Sequence, residues 1–273
     1  MNTLLTNKNV LITGGSRGIG KAIAIALASK GANIAIAGKT TTPHPKLEAT
    51  IYTAAEEIKE AGAKKVLAIQ GDIRYDESID KIVQETLEHF GGIDILINNA
   101  SAISLTSTLD TEPKKYDLMH SINVRGTFMM SRACLPYLLK ADNPHILTLS
   151  PPLNLDPAWF GQHLAYTMSK YGMSMVTLGL AAEFKNIGVN ALWPATTIAT
   201  AAVQNLLGGD YLMQRSRTPQ IVADAAVAIL QRTAAECTGN FFIDEDVLRN
   251  EGTNDFTQYA VNPGQSLMKD LFL

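Results

Sequence analysis

Cysteine is scarce in this chain: two residues in 273, Cys134 and Cys237, far apart and in no CxxC spacing. A disulfide framework and a thiolate metal site are therefore excluded. Two buried free thiols in a reducing compartment are expected, with a single disulfide as the alternative. An excess of charge of either sign is also missing. Lys and Arg number 23 against 26 Asp and Glu, for a net charge of −3 and a pI of about 6.0. That balance leaves no basic field of the kind nucleic acid requires. No apolar run approaches the roughly 20 residues of a membrane span. The opening MNTLLTNKNVLITGG is too short in apolar residues for a secretory leader, and MKDLFL matches no carboxyl-terminal address. The expectation is a cytoplasmic protein with no nucleic-acid partner, no membrane span and no metal.

What is present is regular. Hydrophobic residues make up 46% and charged residues 18%, enough for one large α/β domain covering 1–273. Short apolar runs at 8–13, 33–38, 64–72, 94–100, 145–150, 188–193 and 240–244 read as strands. Between them, helical spacing appears at 19–32, 52–62, 77–91, 112–139, 165–185 and 219–231. The threonine- and proline-rich TTTPHPK (40–46) reads as a loop inside the domain. Repeated βαβ units with nearly all-apolar strands predict a Rossmann-type doubly wound domain. Its sheet should be mostly parallel and seven-stranded, with helices on both faces.

The first strand runs into TGGSRGIG (13–20) and then a helix. Glycines there let the backbone turn tightly and approach a pyrophosphate, and the helix offers free N–H groups at its positive end. A glycine pattern alone is weak, but this one sits where a dinucleotide fold binds its ligand. Four further motifs follow in order: Asn98-Asn99-Ala100, Asn123 in SINVRGT, Tyr166-x-x-x-Lys170, and Val189-Asn190-Ala191 before Pro194. Together they resemble the short-chain dehydrogenase/reductase family over nearly the whole chain. The segments INNASAISLT, LSPPLNLDPAWFGQHLAYTMSKYGMSM and VNALWPATTIATAA are similar to its hydroxysteroid dehydrogenase-like branch. Animal members of that branch carry an added sterol-carrier domain, for which no room is expected here.

The resemblance implies a nicotinamide cofactor held by Gly14, Ser16, Arg17, Gly18, Ile19, Gly20, Asp72, Ile73 and Asn99, together with Tyr166 and Lys170. An NAD enzyme usually ends its second strand with an acid for the ribose hydroxyls. Here Gly38 stands in that place, followed by Lys39, with Arg17 nearby in the glycine loop. Two cations without an acid suit a 2′-phosphate and predict NADP(H). Asp72 is similar to the family's adenine-contacting aspartate; capping the helix that follows is its other reading.

Tyr166 and Lys170 are four apart on a helix and so share one face. A nearby ammonium favours phenolate, so Tyr166 is expected to have a lowered pKa and to exchange a proton with an alcohol or ketone as hydride moves. The resemblance gives Lys170 the nicotinamide ribose as a second task and gives Asn123 a water that links the lysine to solvent. Serine is the weak member of the set. Ser150 lies sixteen residues before Tyr166, farther than the family places its serine, and Pro151-Pro152 follows it. Either the turn is reshaped and Ser150 acts as the catalytic donor, or the serine role is reduced.

A substrate lid is expected at 196–217, with Leu206, Leu207, Tyr211, Leu212 and Met213 as apolar cover and Gly208-Gly209 as hinge; a plain packing helix is the alternative. Pro157, Trp159 and Phe160 add apolar bulk near the catalytic turn. The substrate is expected to be a hydrophobic, lipid-like carbonyl or alcohol. A homo-oligomer, dimer or tetramer, is implied by the family. The alternative function is a catalytically weak or inactive NADP(H)-binding sensor. An epimerase or dehydratase would need a GxxGxxG loop and a longer substrate domain, which are lacking.

Overall fold

The computed structural model describes residues 4–43 and 49–273. Of the 40–46 loop, residues 40–43 are irregular and the remainder lies outside the described residues. In chain order the first half comprises β1 (Asn9–Thr13), α1 (Gly18–Ser29), β2 (Asn33–Gly38), α2 (Ile51–Glu60), β3 (Val66–Gln70), α3 (Asp76–Phe90) and β4 (Ile95–Asn98). Next come α4 (Pro113–Met119), a π-helical segment (His120–Gly126) and α5 (Thr127–Leu138), which together form the long helix expected at 112–139. The second half comprises β5 (His145–Thr148), α6 (Pro157–Gly161), α7 (Leu164–Glu183), β6 (Gly188–Trp193), a π-turn (Val203–Leu207), α8 (Gly209–Met213), α9 (Gln220–Leu230), β7 (Phe241–Ile243) and α10 (Asp244–Asn250).

Among the described residues the sheet has seven strands in the order β3-β2-β1-β4-β5-β6-β7. Every pairing is parallel, with registers such as Ile12 against Ile36 on one side and Ile97 on the other. This is a Rossmann-type doubly wound sheet. Alternate side chains of one strand enter opposite layers. Val10 and Ile12 join the layer under α1, α2 and α9, whereas Leu11 joins the layer under α3, α5 and α7. Strand order reverses direction between β1 and β4, so the crevice for a ligand opens at their carboxyl ends. Cys134 and Cys237 are buried free thiols, and burial pushes Cys134 up to about 12.

One helix crossing fixes where α7 sits. Gly172 in α7 lies against Val124 of the π-helical segment, and a Cβ at that position would stand 2.5 Å from Val124 Cγ2. Valine has little rotamer freedom in a helix, so the contact cannot be relieved by rotation. Gly172→Ala is therefore expected to lose roughly 1–3 kcal/mol of stability through overpacking. Gly179, in the same helix, has nothing within 4 Å of its would-be Cβ. Gly179→Ala should gain up to about 1 kcal/mol from helix propensity. Thermal denaturation of the two variants, read side by side, checks the opposite signs.

Candidate active site

The glycine loop and the end of β4 are interlocked. Asn99 Nδ2 donates to the carbonyls of Thr13 and Gly14, both at 3.0 Å, while Thr13 Oγ1 accepts from the amides of Asn99 and Ala100. Gly14 has φ of +71°, and a Cβ there would come within 2.9 Å of Ala100 Cα; one at Gly20 would come within 2.4 Å of Asn99 Nδ2. A side chain at either position would push the two chain segments apart. Arg17 precedes α1 without a side-chain cap. The first N–H groups of the helix are thus left for a ligand.

This loop forms one end of a cleft of about 740 Å³. Gly14, Ser16, Arg17, Gly18, Ile19, Lys39, Asp72, Ile73, Asn99, Tyr166 and Lys170 all line it. Gly20 does not; it lies buried under the loop against Asn99. Neither Asn123 nor Ser150 lines the cleft.

At the end of β2, Arg17 Nη2 donates to Thr40 Oγ1 at 2.6 Å, and Lys39 Nζ lies 3.6 Å from Asp72 Oδ2. Arg74 grips the same carboxylate, with Nη2 at 2.6 Å and Nε at 3.0 Å from Oδ2. Burial works to raise Asp72, but the Arg74 hydrogen bonds and the Lys39 charge outweigh it and hold the carboxyl below its usual range. Asp72 does not cap α3, whose N-terminal flank is Tyr75. Arg17, Lys39 and Asp72 thus meet at one end of the cleft, with Arg74 holding Asp72 from outside the lining. Arg74 is the member that sequence reasoning missed, although it stands two residues after Asp72 in QGDIR.

Tyr166 and Lys170 lie on α7, both buried. Lys170 Nζ donates to the Leu149 carbonyl at 2.6 Å, lies 3.3 Å from Met173 Sδ and sits 5.0 Å from the centre of the Trp193 ring. Burial pushes the ammonium down to about 7, while the Asp270 carboxylate works to raise it. The expected lowering of Tyr166 is not found in this geometry. Burial raises the phenol well above its ordinary value, and the Asp270 charge adds to the rise. The hydroxyl is thereby held protonated.

Asn123 serves as a brace. Its Oδ1 accepts from Ala102 N at 2.8 Å, and its Nδ2 donates to Ala102 O and to Ser169 Oγ, both at 2.9 Å. Ser169 in turn donates to the Tyr166 carbonyl. The asparagine side chain therefore ties the π-helical segment to the 101–103 loop and to α7. Ser150 is 1% exposed, and its Oγ has no hydrogen-bond partner among the described residues. Its neighbour Leu149 lines the cleft instead. The Pro151 carbonyl accepts from Ser174 Oγ at 2.6 Å, which pins the diproline turn to α7.

The lid region divides. Leu207 and Leu212 line the cleft. Leu206 and Tyr211 are 68% and 59% exposed, and Met213 lines a separate groove beside α1. Trp159 and Phe160 pack round Tyr166, Tyr171 and Phe272 without reaching the cleft. Further apolar lining comes from Ile103, Leu105 and Met268. The largest omission of the sequence reading is the segment 268–272. It returns Asp270 and Leu271 to the cleft wall, and MKDLFL offered the signal of one acid set among apolar residues. Among the described residues no group of His, Cys, Asp and Glu could hold a metal, and no helix is long and apolar enough to cross a membrane.

The family model for short chain dehydrogenase matches residues 8–208. Hydroxysteroid dehydrogenase-like protein 2 of Danio rerio is 56% identical over 98% of this chain, which spans 64% of that relative's length. The human protein of the same name is also 56% identical, with the same coverage. A dehydrogenase structure from Xanthomonas campestris is 52% identical, with a TM-score of 0.95 over 98% of both chains. More distant structures include a Burkholderia cenocepacia short chain dehydrogenase in complex with NADP (26% identical, TM-score 0.74, 88% of this chain and 96% of that one). Another is Gluconobacter frateurii L-sorbose reductase with NADPH and L-sorbose (25%, TM-score 0.76, 89% and 97%). This chain therefore belongs to the short-chain dehydrogenase/reductase family of oxidoreductases.

Proposed function

We propose that this protein is an NADP(H)-dependent oxidoreductase that interconverts a carbonyl and a secondary alcohol on a hydrophobic, lipid-like substrate. The observation that carries the reading is one cleft lined at one end by the glycine loop and at the other by Tyr166 and Lys170. The residues fit a dinucleotide: the Asn99 side chain holds the glycine loop in its turn, and α1 begins uncapped beside it. Bound there, the nicotinamide supplies or accepts the hydride.

The chain's own residues do the rest. Tyr166, held protonated by burial, donates its proton to a carbonyl oxygen, which suits reduction. Lys170 lies one helical turn on, where its ammonium stabilises the phenolate left behind. Arg17 and Lys39, with Arg74 behind them, favour a 2′-phosphate over a free hydroxyl. The structural neighbours in complex with NADP and NADPH support that choice. Ile103, Leu105, Leu207 and Leu212 favour an apolar substrate over a sugar. Exposed Phe128, Met168, Met175 and Leu178 on α5 and α7 support a homo-oligomer, dimer or tetramer. The two free buried thiols suit the cytoplasm.

Purified protein with NADPH and a panel of apolar ketones tests the reading. Tyr166→Phe is expected to lower kcat by about 10²–10⁴-fold while NADPH still binds. Tight NADPH binding with no turnover by the parent protein would favour the sensor instead. Ser150→Ala is expected to cost less than about tenfold, since its hydroxyl lies off the cleft; a loss equal to that of Tyr166→Phe would place it on the substrate. Replacing Arg17 and Lys39 together with alanine should weaken NADPH binding by roughly tenfold or more, with NADH nearly unchanged. Equal weakening of both cofactors would overturn the NADP assignment.

A further inference from the structure

The lid region 196–217 is closed at its neck and clamped there by a distant segment. Arg217 N donates to Thr197 O at 3.0 Å, Ala199 N donates to Arg217 O at 2.8 Å, and the Thr197 and Ser216 hydroxyls lie 2.8 Å apart. Met268 fastens both sides of this neck. Its amide donates to Arg215 O at 2.8 Å, and its carbonyl accepts from Thr197 N at 2.9 Å. Beyond it, Lys269 bridges to Thr196, and Asp270 N donates to Ala195 O at 3.1 Å. Trp193 Nε1 donates to Leu271 O at 2.9 Å, and the buried Phe272 ring stands 6.1 Å from that of Tyr166. Met268–Phe272 is thus a strap that runs from the lid neck to the tyrosine.

Backbone hydrogen bonds fix the strap, yet two of its apolar side chains stay uncovered. Met268 is 37% exposed and Leu271 is half-buried, and both line the cleft that holds Tyr166 and Lys170. Leu271 belongs to the same apolar cluster as Tyr166, Ile103 and Leu105. Met268 lies at the neck of the lid that supplies Leu207 and Leu212 to the same cleft. Lys269 and Asp270 also line it, and one Asp270 carboxyl oxygen accepts from Leu271 N at 2.7 Å. The wall is therefore apolar at its two ends. A rigid backbone that leaves apolar side chains open inside a concave cleft is how proteins build ligand contacts.

We propose that Met268 and Leu271 are specificity-determining residues: they form one wall of the substrate end of the cleft and pack against the apolar tail of a ketone or alcohol. This deepens the oxidoreductase reading above and rests on it. Leu271 shares the Tyr166 cluster, so it meets the tail next to the reacting carbon. Met268, three residues away at the lid neck, meets the tail farther out. Three residues of chain separate the two side chains by up to about 10 Å, room for a tail of several methylenes. The unbranched thioether of Met268 adapts its rotamers to such a tail. The strap's backbone bonds to Thr197 and Arg215 keep the wall and the lid neck in register.

The probe is a series of methyl ketones from 2-butanone to 2-undecanone. Binding to the full chain is measured by calorimetry with and without NADP⁺, and reduction is followed with NADPH. In the parent, affinity is expected to rise by up to about fourfold per added methylene. Met268→Ala should leave 2-butanone within about twofold and weaken 2-undecanone by roughly tenfold, through KM with kcat nearly unchanged. Met268→Leu should restore most of that affinity, Leu271→Ala should weaken every member, and NADPH affinity should not change in any variant. If Leu271→Ala does not fold, the Met268 variants decide alone. A folded Met268→Ala variant with parent-like affinity across the series, or with equal weakening of 2-butanone and 2-undecanone, overturns the proposal, as does a parent that binds no ketone. If the parent binds the series with the expected gradient but reduces none, the oxidoreductase reading fails while the wall stands.

Discussion

The arrangement at the centre of this protein depends on one buried ammonium. Lys170 is 2% exposed, and burial of that kind is tolerated only when the charge is solvated by the protein itself. Three separate parts of the chain supply that solvation. The end of β5 contributes the Leu149 carbonyl, α7 the Met173 sulfur and β6 the Trp193 ring. Each is delivered by a different element of the sheet or its connections. Displacing any one element would leave a charge in an apolar bed, so the position of the lysine constrains the whole carboxyl edge of the sheet.

A second constraint operates at the other end of the cleft. The Asn99 side chain joins β4 to the glycine loop after β1, where the strand order changes direction. The loop is therefore held open by an amide that bridges two strands, and the glycines are needed because that amide is so close. Asn123 plays a similar part for α7, through Ser169 and Ala102. Both asparagines act through geometry. They place backbone, and the backbone places the groups that meet ligand.

Most of the fold was legible in the sequence because it rests on periodicity. Apolar runs such as Asn33–Gly38 and amphipathic stretches such as Asp76–Phe90 name their own conformations, and glycine before a helix marks the ligand crevice. Tyr166 and Lys170 were legible because their spacing is set by one helix. What was not legible depended on contacts between distant segments. Arg74 reaches Asp72 only after the turn folds, Leu206 and Tyr211 face solvent although their residue types suggest cover, and Asp270 arrives from the far end of the chain. Tyr166 shows the same limit. Its spacing from Lys170 suggested a lowered pKa, but depth of burial and the approach of Asp270 are three-dimensional facts.

The turn after β5 shows how the backbone decides which group a cleft receives. The diproline after Ser150 and the hydrogen bond from Ser174 fix the β5 turn so that Leu149, through its carbonyl, is what the cleft receives. A carbonyl accepts from the lysine but cannot donate to a substrate oxygen. In the proposed reaction donation therefore falls to Tyr166. Burial and the Asp270 charge both oppose phenolate, so they keep the Tyr166 hydroxyl protonated while making its proton harder to release. The proposed reduction therefore needs a positive charge, which Lys170 would supply, to offset that cost as the proton leaves.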